Sequence, residues 1–357
     1  MALSWVRIEQ FRCFERIEVD LDPRFNLFVG ANASGKTSLL EALFFLGRGR
    51  SFRSRRLDVL IRQGQREFLV VGKVRTEQGL TTVGVRGAKD GTEIRVAGKP
   101  AQGAAQLAEY FPPQVIDPEI HKLLEEGPGR RRRFLDWGVF HVEPAFLETW
   151  QRYHKALRQR NAALKLGLDD EGVRVWDTEL ALAGETLSEQ RRTYLRDLAA
   201  PLTRVGRALL EADVALAYHR GWPEDAGLAE CLGRDLDRDR RYRATQHGPH
   251  RADVIVRVEG HAAKDRVSRG QQKLLAAGLT LAQLELQEQE RPGRSALLLD
   301  DPAAELDGTS LQRLLTCVRA LPVQLIVTSL REDVPGLPAD GRRFHVEHGG
   351  VTPRAGE

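Results

Sequence analysis

The spacing of apolar and polar positions changes along the chain. Residues 1–29 and 66–98 alternate between the two, which predicts strands of an antiparallel sheet. Residues 129–215 are rich in Leu, Ala, Arg and Glu at helical spacing. This stretch predicts helices over 130–141, 144–166, 175–200 and 202–216. Alternation returns at 252–258, so the pattern predicts an α/β chain with a helical insertion.

Three short runs are apolar almost throughout, at residues 25–29, 296–299 and 323–327. Such runs are typical of central strands in a parallel sheet, which are buried on both faces. The first run is followed by a glycine-rich segment and then by residues 38–46, which predict a helix that ends near Gly47.

The glycine-rich segment fits the pattern G-x-x-x-x-G-K-[ST] from Gly30 to Thr37. Its backbone N–H groups and the following helix N-terminus predict a phosphate-binding loop. Lys36 would reach the β- and γ-phosphates, and the Thr37 hydroxyl would bind Mg²⁺. The alternative is a glycine turn before an ordinary helix. The residues expected to contact a nucleotide are Gly30, Asn32, Ser34, Gly35, Lys36, Thr37 and Ser38.

Two carboxylates follow the apolar run at 296–299. Polar groups at the carboxyl ends of parallel strands form the ligand sites of open α/β sheets. Asp300 would hold Mg²⁺, and Asp301 would orient or deprotonate the attacking water. The alternative is a strand followed by a helix that is capped by Asp.

The segment 268–272 reads Ser-Arg-Gly-Gln-Gln and opens an apolar run at 273–282. It resembles the Leu-Ser-Gly-Gly-Gln signature loop of ABC-type ATPases, with Val267 for Leu and Arg269 for the first Gly. The resemblance implies that Ser268, Gly270 and Gln271 face a γ-phosphate held by a second subunit. ATP would therefore drive homodimerisation. The alternative is that Ser268 is only a helix cap. Residues 304–307 resemble the loop that joins the two composite sites.

Composition narrows the class of protein. The 357 residues carry a formal net charge of +4 with three cysteines. No run approaches 18 apolar residues and the N-terminus is charged early, so neither a membrane span nor a signal peptide is expected. Isolated cysteines, odd in number, suit a reducing cytoplasm. The basic balance permits a nucleic-acid partner.

The long interval between Thr37 and Ser268 predicts an insertion between two parts of one head. We expect the N-terminal part of an ABC-type ATPase head at 1–118 and its C-terminal part at 246–357. The head would combine a mixed sheet around the phosphate loop with an antiparallel sheet. A compact helical lobe would occupy 119–245, because its helices are too short for a long coiled coil.

The chain resembles the RecF family, bacterial recombination mediators related to SMC and ABC ATPases. Beyond the nucleotide motifs, the segments that carry the resemblance are Gln10 to Phe14, Gly49 to Arg53, Arg131 to Asp136 and His247 to Asp253. The resemblance implies a weak, DNA-dependent ATPase that uses ATP and Mg²⁺. It implies an ATP-dependent homodimer on DNA at gaps and single-/double-strand junctions. It also implies RecO and RecR as partners, with RecA loading as the outcome.

Two features depart from the ABC pattern. The strand at 323–327 is not followed by a switch His, so Thr328 or Ser329 would have to sense the γ-phosphate. The glutamine that would sense Mg²⁺ is not obvious, and Gln114 is the best candidate.

Two arginine clusters are candidate DNA contacts, because arginine runs bind phosphates without reading sequence. Their members are Arg50, Arg53, Arg55, Arg56, Arg130, Arg131, Arg132 and Arg133. The alternative is a solvated face or internal ion pairs. We noted no aromatic interleaving typical of a stacking platform for single strands. His247, His250 and Arg251 would contact nucleotide or support the head.

Three functions remain open at this point. The first is a DNA-dependent ATPase that clamps DNA as a dimer. The second is the nucleotide-binding subunit of a transporter, which the long insertion and the missing His disfavour. The third is a nucleotide-gated scaffold with negligible turnover, because Asp301 is one methylene shorter than the usual Glu.

Overall fold

The computed structural model describes residues 1–76 and 79–354. Residues 77, 78 and 355–357 were included in the predicted parts of the head, and they lie outside the described residues. The chain forms two compact units. The first, called the head here, contains residues 1–120 and the chain from 291 onward. The second, the inserted unit, contains residues 121–290.

The head contains two sheets with helices packed on them. Its N-terminal elements are β1 (Ala2–Phe11), β2 (Phe14–Asp20), β3 (Phe25–Val29), α1 (Lys36–Arg48), β4 (Glu67–Thr76), β5 (Gly79–Ala88), β6 (Gly91–Val96), β7 (Lys99–Pro100), α2 (Ala104–Tyr110) and β8 (Pro113–Ile116). The inserted unit supplies α3 to α11 and β9 to β11, whose bounds are given below. The C-terminal elements of the head are β12 (Ala296–Asp300), α12 (Pro302–Glu305), α13 (Gly308–Arg319), β13 (Gln324–Ser329), β14 (Arg342–Glu347) and β15 (Gly350–Pro353).

One sheet of the head has the strand order β15-β14-β3-β13-β12-β8. Strands β14, β3, β13, β12 and β8 are parallel, and β15 is antiparallel. The fully buried strands β3, β12 and β13 coincide with the three apolar runs of the sequence, except that residue 323 precedes β13, so the predicted central strands are confirmed. Because these strands run parallel, the loops that follow them meet at one edge of the sheet.

The second sheet of the head is antiparallel, with the order β2-β1-β4-β5-β6-β7. Helix α1 packs between the two sheets, since one buried cluster joins its apolar side chains to residues of both. Phe45 of α1 contacts Phe68 of β4 edge to face, at 5.1 Å between ring centroids. A helix that is apolar on every side is expected in such a buried position. The predicted α/β head with a mixed sheet and an antiparallel sheet is confirmed.

Helices dominate the inserted unit. Its elements are α3 (Lys122–Glu125), α4 (Pro128–Val142), α5 (Phe146–Leu166), α6 (Asp170–Arg174), α7 (Asp177–Leu210), β9 (Val214–His219), α8 (Leu228–Arg234), α9 (Leu236–Tyr242), a 3-10 turn (Pro249–Arg251), β10 (Asp253–Val258), β11 (His261–Ala262), α10 (Ala263–Arg266) and α11 (Arg269–Glu290). Across both units, no described helix combines the length and apolar character needed to cross a membrane.

Helix α7 corrects the prediction of two helices that meet near residue 201. It is one helix of 34 residues with Pro201 inside it. A proline removes one helical hydrogen bond and usually kinks or ends a helix. Here the buried stripe continues from Leu198 through Leu202 to Leu209, and α7 packs along α5 and α11. Packing of this stripe outweighs the local cost. The predicted helical end at 211–216 instead contains a turn and the start of β9.

The division into units differs from the predicted boundary between 245 and 246. Residues 246–290 belong to the inserted unit, because β10 pairs with β9 and α11 packs on α7. The signature segment therefore lies in the inserted unit, whereas the phosphate loop and both carboxylates lie in the head. The boundary expected between 118 and 119 falls between 120 and 121.

Candidate functional site

The loop between β3 and α1 has the backbone that phosphate binding requires. A Cβ at Gly30 would lie 2.3 Å from the carbonyl oxygen of Val346, so only glycine fits. Gly35 has a φ of +114°, in the left-handed region that glycine adopts without strain. Among the described residues, no partner exists for the buried Oγ of Ser34. An unsatisfied hydroxyl in a loop of N–H groups fits a phosphate oxygen.

Lys36 and Thr37 are the first residues of α1, and their side chains have different partners. The Nζ of Lys36 donates hydrogen bonds to the carbonyl oxygens of Gly30 at 2.7 Å and Ala31 at 2.8 Å. Burial lowers the pKa of Lys36, and the charges of Asp301 and Asp300 oppose this effect. The hydroxyl of Thr37 lies 2.9 Å from Oδ2 of Asp300. A hydroxyl and a carboxylate in contact are the donor set that Mg²⁺ takes beside nucleotide phosphates.

Asp301 differs from its neighbour Asp300 in backbone and environment. Its φ of +46° and ψ of +56° place it in the left-handed region, which is rare for a residue other than glycine. Its side chain accepts no capping hydrogen bond from α12, so the helix-cap alternative is not observed among the described residues. Burial raises the pKa of the Asp301 carboxyl, Lys36 opposes the shift and Asp300 adds to it.

A cavity of about 540 Å³ joins these groups within the head. Its lining includes the predicted residues Asn32, Gly35, Lys36, Thr37, Ser38, Asp300 and Asp301. One cavity is therefore lined by the strained carboxylate of Asp301, whose pKa is raised, by the buried Lys36 and by the Thr37–Asp300 pair. Clustering of such perturbed groups in a cavity is typical of a functional site.

Thr328 contacts Asp300 rather than pointing into the cavity. Its hydroxyl donates to Oδ1 of Asp300 at 2.8 Å and accepts from the backbone N–H of Asp301 at 3.0 Å. Ser329 is also buried, and its Oγ accepts from the N–H of Arg331. The Thr328 hydroxyl is thus engaged by Asp300 and Asp301, which favours Ser329 over Thr328 as the γ-phosphate sensor. No local sequence pattern indicates this contact, because it depends on the pairing of β12 with β13.

Gln114 lies away from the edge where the carboxylates stand. On β8 it pairs with Leu297 of β12, three residues before Asp300. Its side chain is buried, and it is not part of the cavity lining in the described residues. We therefore do not retain Gln114 as a magnesium-sensing residue. Gln114 lies inside β8, whereas a residue that reaches the carboxylates would have to follow the strand.

Glu41 forms a charged centre that the sequence analysis missed. Its carboxylate is fully buried on α1. Arg12 donates two hydrogen bonds to it, both at 2.8 Å, and Ser51 donates another. Arg53 approaches the same carboxylate at 3.4 Å and also lines the cavity. Arg12 and Arg53 come from two of the segments that carry the family resemblance, and both contact Glu41. The sequence alone does not reveal this shared partner.

The signature segment forms a reciprocal helix cap. The backbone N–H of Ser268 donates to Oε1 of Gln271 at 2.9 Å, and the N–H of Gln271 approaches Oγ of Ser268 at 3.4 Å. This arrangement is a capping box at the start of α11. Ser268, Gly270 and Gln271 are all exposed. The helix-cap interpretation of Ser268 is therefore observed, and its exposure leaves the proposed contact with another subunit open.

The arginine clusters are largely engaged in internal contacts. Arg130 pairs with Glu126, Arg131 forms a two-pronged ion pair with Asp253, and Arg132 donates to the carbonyl of Ala252. Arg133 is exposed and donates to the carbonyl of Gly129.

In the first cluster, Arg56 pairs with Asp58 and Arg53 approaches Glu41. Arg50 and Arg55 are exposed, and Arg55 has no hydrogen bond or ion pair within the described residues. Arg131 and Arg132 therefore make the internal contacts that were the alternative to DNA binding. Arg50 and Arg55 remain candidates for DNA contact.

Within the described residues, the histidines of the segment 247–253 find hydrogen-bond partners in the inserted unit. Nε2 of His250 lies 3.0 Å from the carbonyl of Thr245, and Nδ1 lies 2.6 Å from the hydroxyl of Tyr153. Burial lowers the pKa of His250 to about 4, so the ring is neutral at pH 7. His247 pairs with Asp235 at 2.6 Å. Both side chains therefore connect the segment 247–253 to neighbouring parts of the inserted unit.

These features define a P-loop head of the ABC type with an inserted unit. Residues 2–337 match the family model described as the RecF/RecN/SMC N terminal domain. A DNA replication and repair protein RecF of Pseudomonas putida is 42% identical over 99% of this chain and 98% of its own. The protein of the same description from Pseudomonas syringae pv. tomato shows the same identity and coverage. The chain therefore belongs to the RecF family of DNA replication and repair proteins.

Solved structures agree with this family. The structure described as the recombination mediator protein RecF with ATP in the RecFOR pathway has a TM-score of 0.89 and 26% identity, over 99% of this chain and 98% of that one. An Smc head bound to the C-winged helix domain of ScpA has a TM-score of 0.61 at 15% identity, over 99% of this chain and 97% of that one. The second likeness supports the fold alone.

Proposed function

We propose that this protein is a Mg²⁺-dependent ATPase whose ATP-bound form dimerises on DNA. It would act at gaps and single-/double-strand junctions and help load RecA together with RecO and RecR. The observation that carries the proposal is the convergence of Lys36, the Thr37–Asp300 pair and Asp301 on one cavity. The match to a RecF structure with ATP supports the nucleotide.

Each residue of the cavity has a distinct proposed role. Lys36 and the loop N–H groups would bind the β- and γ-phosphates. Thr37 and Asp300 would hold Mg²⁺, which neutralises developing charge on the phosphates. Asp301 would orient the attacking water and accept its proton. Thr328 would keep both carboxylates in place. Ser268 and the exposed start of α11 would complete the site of a second copy.

The test measures mass and turnover together. Light scattering is recorded on the full-length protein without nucleotide, with ADP and with ATP, each with and without a gapped duplex. We expect a dimer only with ATP, and faster phosphate release with DNA. Equal mass under all conditions would contradict dimerisation driven by ATP.

A nucleotide-gated scaffold is the second candidate, favoured by the short side chain and left-handed backbone of Asp301. ATP-dependent dimerisation without measurable phosphate release, in the presence of DNA, would establish it instead. A transporter subunit is no longer considered, because the full-length relatives are DNA replication and repair proteins.

A further inference from the structure

The end of helix α9 presents cations around an exposed aromatic ring. Leu236 and Asp239 face the interior of the inserted unit. Arg238, Arg241 and Tyr242 lie three and four residues apart, so they share the opposite face of the helix. Tyr242 is 61% exposed, which is high for a large aromatic side chain. With the exposed Arg243, these residues are called the α9 patch.

The arginines of the α9 patch differ from their neighbours in having no partner. Arg238, Arg241 and Arg243 make no side-chain hydrogen bond or ion pair with any described residue. Close by, Arg240 binds Asp170 at 2.7 Å, and the buried Arg160 binds Asp239. The contrast shows that acids of this unit bind other arginines, and the three arginines of the patch outnumber the one exposed acid of α9, Asp237.

Helix stability alone does not account for the α9 patch. Cations in the last turn of a helix interact favourably with its dipole, which explains Arg240 and Arg241. It explains neither an exposed tyrosine nor Arg243. The latter has a φ of +50° at the position where helices prefer glycine. Strained residues of this kind are concentrated at functional positions.

We propose that the α9 patch binds single-stranded DNA, with one base stacked on Tyr242 and the flanking phosphates held by the arginines. The inference rests on the DNA-binding part of the proposed function and adds a site in the inserted unit. A flat ring is useful to a single strand, because a duplex hides the faces of its bases. Unpartnered arginines suit a chain of phosphates. The sequence analysis overlooked this arrangement, although Tyr242 stands between Arg241 and Arg243.

The test compares two DNA probes on the full-length protein. A fluorescein-labelled single strand and the duplex of the same sequence and length are titrated at several salt concentrations. Tyr242→Ala should weaken single-strand binding about tenfold and leave duplex binding unchanged, since a stacked base is lost. Tyr242→Phe should bind as wild type, because the ring remains. The double variant Arg241→Glu with Arg243→Glu should weaken single-strand binding and flatten its salt dependence.

The matched control is Arg196→Glu on α7, an exposed arginine that also lacks a described partner. It should bind both probes as wild type. Wild-type protein that binds neither probe would defeat the DNA-binding part of the proposed function and this inference together.

Wild-type binding that Tyr242→Ala leaves unchanged would overturn the inference alone. Equal loss on both probes would also overturn it, because the patch would then be a backbone-binding surface without stacking. Unchanged DNA binding with lost binding to poly-glutamate would reassign the patch to an acidic protein partner.

Discussion

At the scale of single residues, two adjacent carboxylates are given different environments. Asp300 ends β12 and accepts hydrogen bonds from two threonine hydroxyls, those of Thr37 and Thr328. Asp301 turns into a left-handed conformation and faces Lys36 across the cavity. Groups with different environments can take different chemical tasks at one pH. Under the proposed function, Asp300 would bind the metal and Asp301 would activate the water.

We expect the pH dependence of kcat/KM to identify Asp301 as the base. Burial raises its pKa, and a base must be ionised, so activity should fall with decreasing pH at higher pH values than for an ordinary Asp. Asp301→Asn should still bind ATP, lose this acidic limb and hydrolyse on the order of 10²–10⁴ times more slowly. Asp58→Asn, on the surface of the head, serves as the control. An acidic limb that survives in Asp301→Asn would assign the proton acceptor elsewhere.

Thr328→Val should raise the Mg²⁺ concentration needed for half-maximal activity. Valine has the same shape but removes the hydroxyl that donates to Asp300 and accepts from Asp301. Loss of a group that orients a metal ligand typically costs about 10–100-fold in metal affinity or activity. Thr328→Ser keeps the hydroxyl and should restore most of the function. If the Val variant has the wild-type Mg²⁺ requirement, the contact is only structural.

At the scale of elements, Glu41 links α1 to the segments on either side of it. Arg12 lies in the turn between β1 and β2, and Ser51 and Arg53 lie in the segment after α1. All three reach the same carboxylate. The start of α1 carries Lys36 and Thr37, so this link also fixes the helix that positions the cavity.

Glu41→Gln should lower the free energy of unfolding by about 2–4 kcal/mol. The amide cannot balance the charge of Arg12, whose partner is fully buried. Urea unfolding of the full-length protein and its variants measures the change. The control is Glu67→Gln, whose ion pair with Arg86 lies on the surface and should contribute much less, because water screens it. Equal effects in the two variants would show that the link is not a special source of stability.

The sequence predicted the features that depend on contiguous residues. It did not predict the features that depend on packing between distant parts of the chain. The phosphate loop was recognised because its glycines and lysine are contiguous. The continuity of α7 through Pro201 depends on packing against α5 and α11, which no local pattern reports. Gln114 was misplaced because its register against Leu297 was unknown. The role of Thr328 depends in the same way on its pairing with Asp300.

At the scale of the whole molecule, the two loops predicted to meet one nucleotide belong to different units. We expect Ser268→Arg to bind ATP as a monomer but to lose dimerisation and hydrolysis, because a bulky cation replaces a small hydroxyl. Lys36→Met should not bind nucleotide. Mixed in equal amounts, the two variants should regain part of the ATPase activity. One site of the mixed dimer carries both defects, and the other carries neither.

Ser268→Ala is the control for the helix cap. It should cost about 1 kcal/mol of stability but leave room for a partner at the interface. If Ser268→Arg alone dimerised and hydrolysed ATP normally, Ser268 would be only a helix cap.

The head is discontinuous in the chain, and this has a consequence for its synthesis. Strand β3 pairs with β13 and β14, which the ribosome makes last. Until then β3 has two open edges, a condition that favours aggregation. The inserted unit is continuous from 121 to 290 and is complete well before the head. A chain that stops before residue 296 carries the phosphate loop without either carboxylate, so under the proposed function an unfinished protein would lack the groups that hold Mg²⁺ and activate water.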